Sequence, residues 1–229
     1  MKRDRAPFIA RLFDPRMWFY DFVKLTGLPV VLFLRLKRIF VTADGELKRQ
    51  KGMLKGKYLV AANHTSFVDP IILVNAFWER RLVFVAMEEL FKMKLGKIFS
   101  WMGCIPINRE NVSLDTFKRV ENQLYRGHTV AVFPEGGLET DNEMKTFKSG
   151  IALMAAISGA DIIPTYIAKR PNKWRRQVVL IGEKIKLSDF LSSEFPSMNE
   201  LENLTRELQE REYQLERVYK EIQEKSEKK

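Results

Sequence analysis

Short apolar runs rich in β-branched and aromatic residues recur through the middle of the chain, at 58–62, 82–86, 104–107, 130–133, 162–167 and 178–181. Each has the length of a strand. The stretches between them change period: 113–125 and 147–158 have the length and spacing of amphipathic helices. Strands alternating with helices predict an α/β fold in which a mixed sheet is flanked by helices.

The two ends follow other patterns. Over residues 7–40, apolar clusters (Phe8, Ile9, Leu12 and Phe13, then Trp18, Phe19, Phe22 and Val23, then 30–34) alternate with Arg11, Arg16, Lys24, Arg35, Lys37 and Arg38. This reads as two amphipathic helices. Crossing a bilayer takes about 20 mostly apolar residues, and the longest run here, 25–34, is too short and carries Gly27 and Pro29. Such helices lie on or dip into a membrane, or else cap the core. After Leu187 the chain turns charged and helical. Ser197 and Glu200 are spaced as a capping box ahead of Leu201, Leu204, Leu208, Leu215, Val218 and Ile222, with Arg211 interrupting the seam. Packing on the core and a weak coiled coil both suit that seam. The chain therefore divides into a basic amphipathic membrane-docking segment (1–57), an α/β domain (58–190) and a C-terminal charged helix (191–229).

Charge sharpens the first of these. Residues 1–57 hold 14 Lys and Arg against 5 Asp and Glu, so +9 of the chain's +10 sits there. A basic segment attracts nucleic acid or anionic lipid, and bulky apolar residues between the charges select lipid. No nucleic-acid partner is expected. Composition, at 45% hydrophobic and 30% charged, is that of a globular protein. The one cysteine, Cys104, excludes an internal disulfide and any multi-cysteine metal site, and fits a reducing compartment. Cytosolic exposure is the simplest expectation from that, and the N-terminal stretch, which lacks a secretory pattern, is expected to stay attached.

The chemistry concentrates in Asn63-His64-Thr65-Ser66-Phe67-Val68-Asp69-Pro70, directly after the first central strand. Ligands of open α/β sheets bind at the carboxyl ends of strands. Five residues apart on one helix, His64 and Asp69 would point about 140° away from each other. Asp69 before Pro70 instead suggests an N-cap with proline in the first turn, leaving 64–68 as a loop that folds the imidazole back to the carboxylate. Such a pair activates a hydroxyl: the imidazole removes the proton and the carboxylate fixes its tautomer. A turn hydrogen bond without catalysis has the same spacing.

The block Asn63 to Asp69 resembles the N-H-x-S-x-x-D motif of the glycerolipid acyltransferase family, whose type member is 1-acylglycerol-3-phosphate acyltransferase. Three more segments resemble its further blocks, in order: Gly103-Cys104-Ile105-Pro106-Ile107-Asn108-Arg109, Val132-Phe133-Pro134-Glu135-Gly136-Gly137 and Ile162-Ile163-Pro164-Thr165-Tyr166. The resemblance implies that His64 is the general base on the free hydroxyl of lysophosphatidic acid, Asp69 orients it, and the acyl group arrives as a coenzyme A or acyl-carrier-protein thioester, giving phosphatidic acid. It implies no metal and no bound cofactor. Ser66 and Cys104 have no reason to be nucleophiles.

By the same resemblance Asn108 and Arg109 position the acceptor phosphate, for which a guanidinium is suited. Gly136 and Gly137 let backbone amides approach an anion, and Glu135 braces the loop. After Glu135-Gly136 the family continues with Thr or Ser and then Arg, where this chain has Gly137 and Leu138. Lys145 or Lys148, the latter in a segment similar to the family's F-K-x-G, would replace that charge. Another lysophospholipid acceptor stays open on this account. Pro164 and Thr165 suit either the site floor or ordinary strand packing. His128 has no carboxylate near in sequence and is expected at the surface. The enzyme so described sits peripherally or monotopically on the cytoplasmic face of the membrane, and its oligomeric state is not legible.

Overall fold

A computed structural model describes residues 17–27, 29, 33, 35–48, 54–94, 96–108, 112–135, 147, 149–170, 175–193 and 196–227. Among the described residues eight strands form one sheet, in the order β2-β1-β8-β7-β3-β6-β4-β5. They are β1 (Lys37–Val41), β2 (Leu47–Lys48), β3 (Tyr58–Ala62), β4 (Leu82–Met87), β5 (Ile105–Ile107), β6 (Thr129–Val132), β7 (Asp161–Ile167) and β8 (Val178–Gly182). The strands from β7 to β5 are mutually parallel, so their carboxyl ends share one edge, while β8 runs antiparallel to β7. The mixed α/β sheet expected from the sequence is present.

β3, at the centre, is buried at every position, and its neighbours β6 and β7 supply Val130, Ala131, Ile162 and Ile163 to the same core. A strand flanked by partners on both sides and covered on both faces has no need of polar alternation. That explains its unbroken apolar run.

The helices given bounds among the described residues are α1 (Trp18–Thr26), α2 (Asp69–Ala76), α3 (Glu88–Lys92), α4 (Gly96–Trp101), α5 (Leu114–Tyr125), α6 (Gly150–Ser158) and α7 (Met198–Glu227). The two at the ends carry opposite polarity. α7 buries Leu201, Leu204, Leu208 and Leu215. That part of its seam packs on the molecule's own core. Its start is the expected capping box: Glu200 N–H donates to Ser197 Oγ at 3.3 Å and Ser197 N–H to Glu200 Oε2 at 2.7 Å. Donors from Ser192 and Ser197 hold the Glu200 carboxyl down to about 2.

α1 turns its polar groups inward. Asp21 pairs with Arg81, with the Arg81 Nε donating at 3.1 Å, and Lys24 Nζ donates to the Trp78 carbonyl at 2.6 Å while lying over the Trp78 ring. The buried Tyr20 hydroxyl accepts from Leu82 N–H at 2.9 Å. Trp18, Phe22 and Leu25, at one-turn spacing, face outward at 62–65% exposure. The helix thus caps the core with one face, as one reading of its sequence has it, and leaves an apolar stripe exposed on the other.

One expectation for the N-terminal segment fails. Residues 37–41 continue no amphipathic helix but form β1, which pairs in parallel with β8 from Lys37↔Val178 to Val41↔Gly182. Ile39, Phe40 and Val41 favour a pleated, half-buried surface, and Gly45, at φ 86°, supports the turn into β2. The α/β sheet therefore begins inside the segment assigned to docking. The cluster around Phe8 to Phe13 lies outside the described residues. No described helix is long and apolar enough to cross a membrane.

Candidate active site

β3 ends at Ala62, and the chain then turns sharply enough to bring His64 back onto Asp69. His64 Nδ1 lies 3.0 Å from Asp69 Oδ2. A carboxylate only accepts, so Nδ1 carries the proton and Nε2 presents its lone pair. The same Asp69 oxygen accepts the backbone N–H groups of Thr65 and Ser66, both at 2.7 Å. Asp69 itself is 1% exposed. A buried carboxylate is tolerable when its lone pairs are filled by donors, as here. Asp69 is the first residue of α2 rather than its N-cap, and its side chain caps the loop behind it. Asn63 fixes the base of the turn: Ile167 N–H donates to its Oδ1 at 2.7 Å and its Nδ2 donates to the Ile167 carbonyl at 3.3 Å, tying β3 to β7.

Phe133, directly after β6, stacks on the His64 imidazole with ring centroids 4.1 Å apart and planes 17° apart, and Phe84 of β4 stacks behind it. Sequence reasoning gave Phe133 no role. Its place at the end of a strand inside a recognised block was the available signal, but the contact requires β6 to lie beside β3. The stack holds the ring plane, and an aromatic face favours a positively charged imidazole over a neutral one.

Of the remaining expected site residues, the two described ones, Asn108 and Glu135, follow the carboxyl ends of β5 and β6 at the same sheet edge. Asn108 is exposed at the end of β5, and Glu135 is buried two residues beyond Phe133. Arg109, Gly136, Gly137 and Lys148, with Leu138 and Lys145, lie outside the described residues. Pro164 and Thr165 are buried within β7, paired with Ala61 and Ala62, which is strand packing. Ser66 Oγ accepts the Val68 N–H at 3.3 Å and serves the turn. Burial pushes the Cys104 thiol up to about 11, so little thiolate forms near neutrality. His128, expected at the surface, is buried at 4% exposure with its Nδ1 2.7 Å from Gln123 Oε1. Gly127, at φ 85°, turns the chain from α5 into β6 and carries His128 beneath the end of the helix.

Comparison with known proteins bears on this edge. Residues 38–168 match the acyltransferase family model. The chain is 34% identical over 144 residues to a Mycoplasma genitalium protein described as a probable 1-acyl-sn-glycerol-3-phosphate acyltransferase, covering 60% of this chain and 52% of that one. It is 27% identical to the Bacillus subtilis 1-acyl-sn-glycerol-3-phosphate acyltransferase, covering 69% of this chain and 81% of that one. The chain spans about half the length of the Mycoplasma relatives it matches. Its fold is that of the 1-acyl-sn-glycerophosphate acyltransferase PlsC of Thermotoga maritima, with a TM-score of 0.59 at 20% identity over 92% of this chain and 86% of the other.

Proposed function

The chain belongs to the acyltransferase family, and from that premise we propose that it transfers a fatty acyl group from a thioester to the sn-2 hydroxyl of lysophosphatidic acid, giving phosphatidic acid. The observation that carries this reading is the His64–Asp69 pair, at 3.0 Å, whose carboxylate two backbone N–H donors, from Thr65 and Ser66, fix in place.

His64 Nε2 takes the acceptor's proton as the hydroxyl oxygen adds to the thioester carbonyl carbon. Collapse of the tetrahedral intermediate breaks the carbon–sulfur bond, and the imidazolium returns the proton to the departing thiolate. Asp69 stays ionised and stabilises the imidazolium. General-base assistance of this kind is worth about 10²–10⁴-fold. No acyl-enzyme forms, in keeping with the half-buried, weakly ionised Cys104.

Asn108 and Arg109 after β5, the Glu135-Gly136-Gly137 loop after β6, and Lys148 would hold the acceptor phosphate. The donor is acyl coenzyme A or acyl carrier protein. Residues 1–57, with their basic excess and the apolar stripe of α1, would dock the enzyme on the cytoplasmic face of the membrane. A second reading, the same chemistry on a different lysophospholipid, is favoured by Leu138 where the family has arginine.

An acceptor panel in mixed micelles with anionic lipid, run with both thioester donors, tests the proposal. Fastest transfer to lysophosphatidic acid is expected. Preference for a headgroup-bearing lysophospholipid would establish the second reading, and no transfer to any acceptor would sink both.

A further inference from the structure

The turn that builds the dyad also carries Phe67, 83% exposed and the most exposed large hydrophobic side chain among the described residues. Val68 and Ile71 flank it at 40% and 44% exposure. The frame beneath them is stiff. Thr65 and Ser66 donate to Asp69 Oδ2, Val68 N–H donates to Ser66 Oγ, and Asp69 N–H donates to the Ser66 carbonyl at 3.0 Å. After β4, at the same sheet edge, Met93 is 62% exposed between the exposed Lys92 and Lys94, with Lys92 bonded to Glu88 at 3.0 Å.

We infer that the catalytic turn is itself a membrane-insertion element: Phe67, with Val68 and Ile71, enters the apolar zone of an anionic bilayer, with Met93 beside it and Lys92 and Lys94 at headgroup level. This rests on the reading that the acceptor is a lysophospholipid resident in that bilayer. Three adjacent side chains are far too few for a stable protein interface, which buries on the order of 1,200 Å² or more in total. They suit insertion from a rigid tip, with aliphatic and aromatic groups in the acyl boundary and lysines outside it. The +9 excess of residues 1–57 attracts the same anionic surface.

The arrangement has a chemical consequence. Asp69 Oδ2 fixes the insertion tip and orients His64 through one atom, so seating the tip sets the depth of Nε2 in the interface. The acceptor's hydroxyl lies at the boundary between acyl chain and headgroup, so it meets the base without its chain leaving the membrane.

The test uses the full chain with Ile71→Cys labelled by an environment-sensitive thiol dye, the half-buried Cys104, whose thiol is pushed up to about 11, reacting slowly in comparison. Vesicles of phosphatidylglycerol and phosphatidylethanolamine should shift the dye emission to the blue, brominated acyl chains should quench it, and Phe67→Ser should weaken both. In parallel, unlabelled Phe67→Ser should lose about tenfold or more of its kcat/KM on vesicle-borne lysophosphatidic acid. It should keep the wild-type rate on a short-chain analogue dissolved as monomer. Unchanged emission on vesicles, or equal losses on the two substrate forms, would overturn the inference. Dye insertion in the Ile71→Cys protein together with a wild type that acylates neither form would uphold insertion and defeat the acyltransferase reading.

Discussion

His64 and His128 are the only histidines in the chain, and each bonds through Nδ1 to a side-chain oxygen five residues further along or back: Asp69 Oδ2 at 3.0 Å and Gln123 Oε1 at 2.7 Å. Sequence spacing does not distinguish them. Strand position and partner charge do. His64 follows the carboxyl end of β3, at the edge where the parallel strands open, and its partner is an anion able to stabilise the imidazolium that proton transfer creates. His128 precedes the amino end of β6 under the last turn of α5, and its partner is a neutral amide. An amide satisfies a buried ring without favouring its charged form. The first pair is built to change protonation state, and the second to hold a connection closed.

Substitutions that swap these roles would break the contrast. Asp69→Asn has the largest expected effect, about 10²–10⁴-fold lower kcat, because a side-chain amide can present an N–H to Nδ1 and so favour the wrong tautomer. Its thermal midpoint should fall too, since the Thr65 and Ser66 amides lose a charged acceptor. Steady-state rates with a parallel melting curve check both, and a catalytic loss no larger than the stability loss explains would contradict the role assigned to Asp69. His128→Ala should do the reverse, costing about 1–3 kcal/mol of stability through a small cavity and a stranded Gln123 while leaving kcat within about twofold. Denaturant unfolding reads the first quantity. A His128 variant as inactive as an Asp69 variant would end the contrast.

Much of the site was legible before the fold. The Asn63–Asp69 block sets the dyad within one turn, where local geometry alone brings its members together, and β3 spans the residues its apolar run marks out. What escaped depended on neighbours distant in sequence. β1 was hidden because Lys37, Arg38, Ile39 and Phe40 repeat the basic and apolar alternation of the amphipathic stretch before them. Pairing with β8, some 140 residues later, makes them a strand along their whole length, with β2 joining only at Phe40 and Val41. The stack of Phe133 on His64 needs two strands placed side by side, and the burial of His128 needs the turn at Gly127. α1 shows a further limit: its period revealed two faces, but not that Asp21 and Lys24 would face Arg81 and the backbone around Trp78 while its apolar stripe faces outward.

The most direct test of the central claim is acyl transfer to lysophosphatidic acid by wild type, His64→Ala and His128→Ala, each first shown to be folded. The account predicts that His64→Ala loses about 10²–10⁴-fold in kcat while His128→Ala keeps the wild-type rate. Retention of activity by His64→Ala would contradict the assignment of His64 as the base.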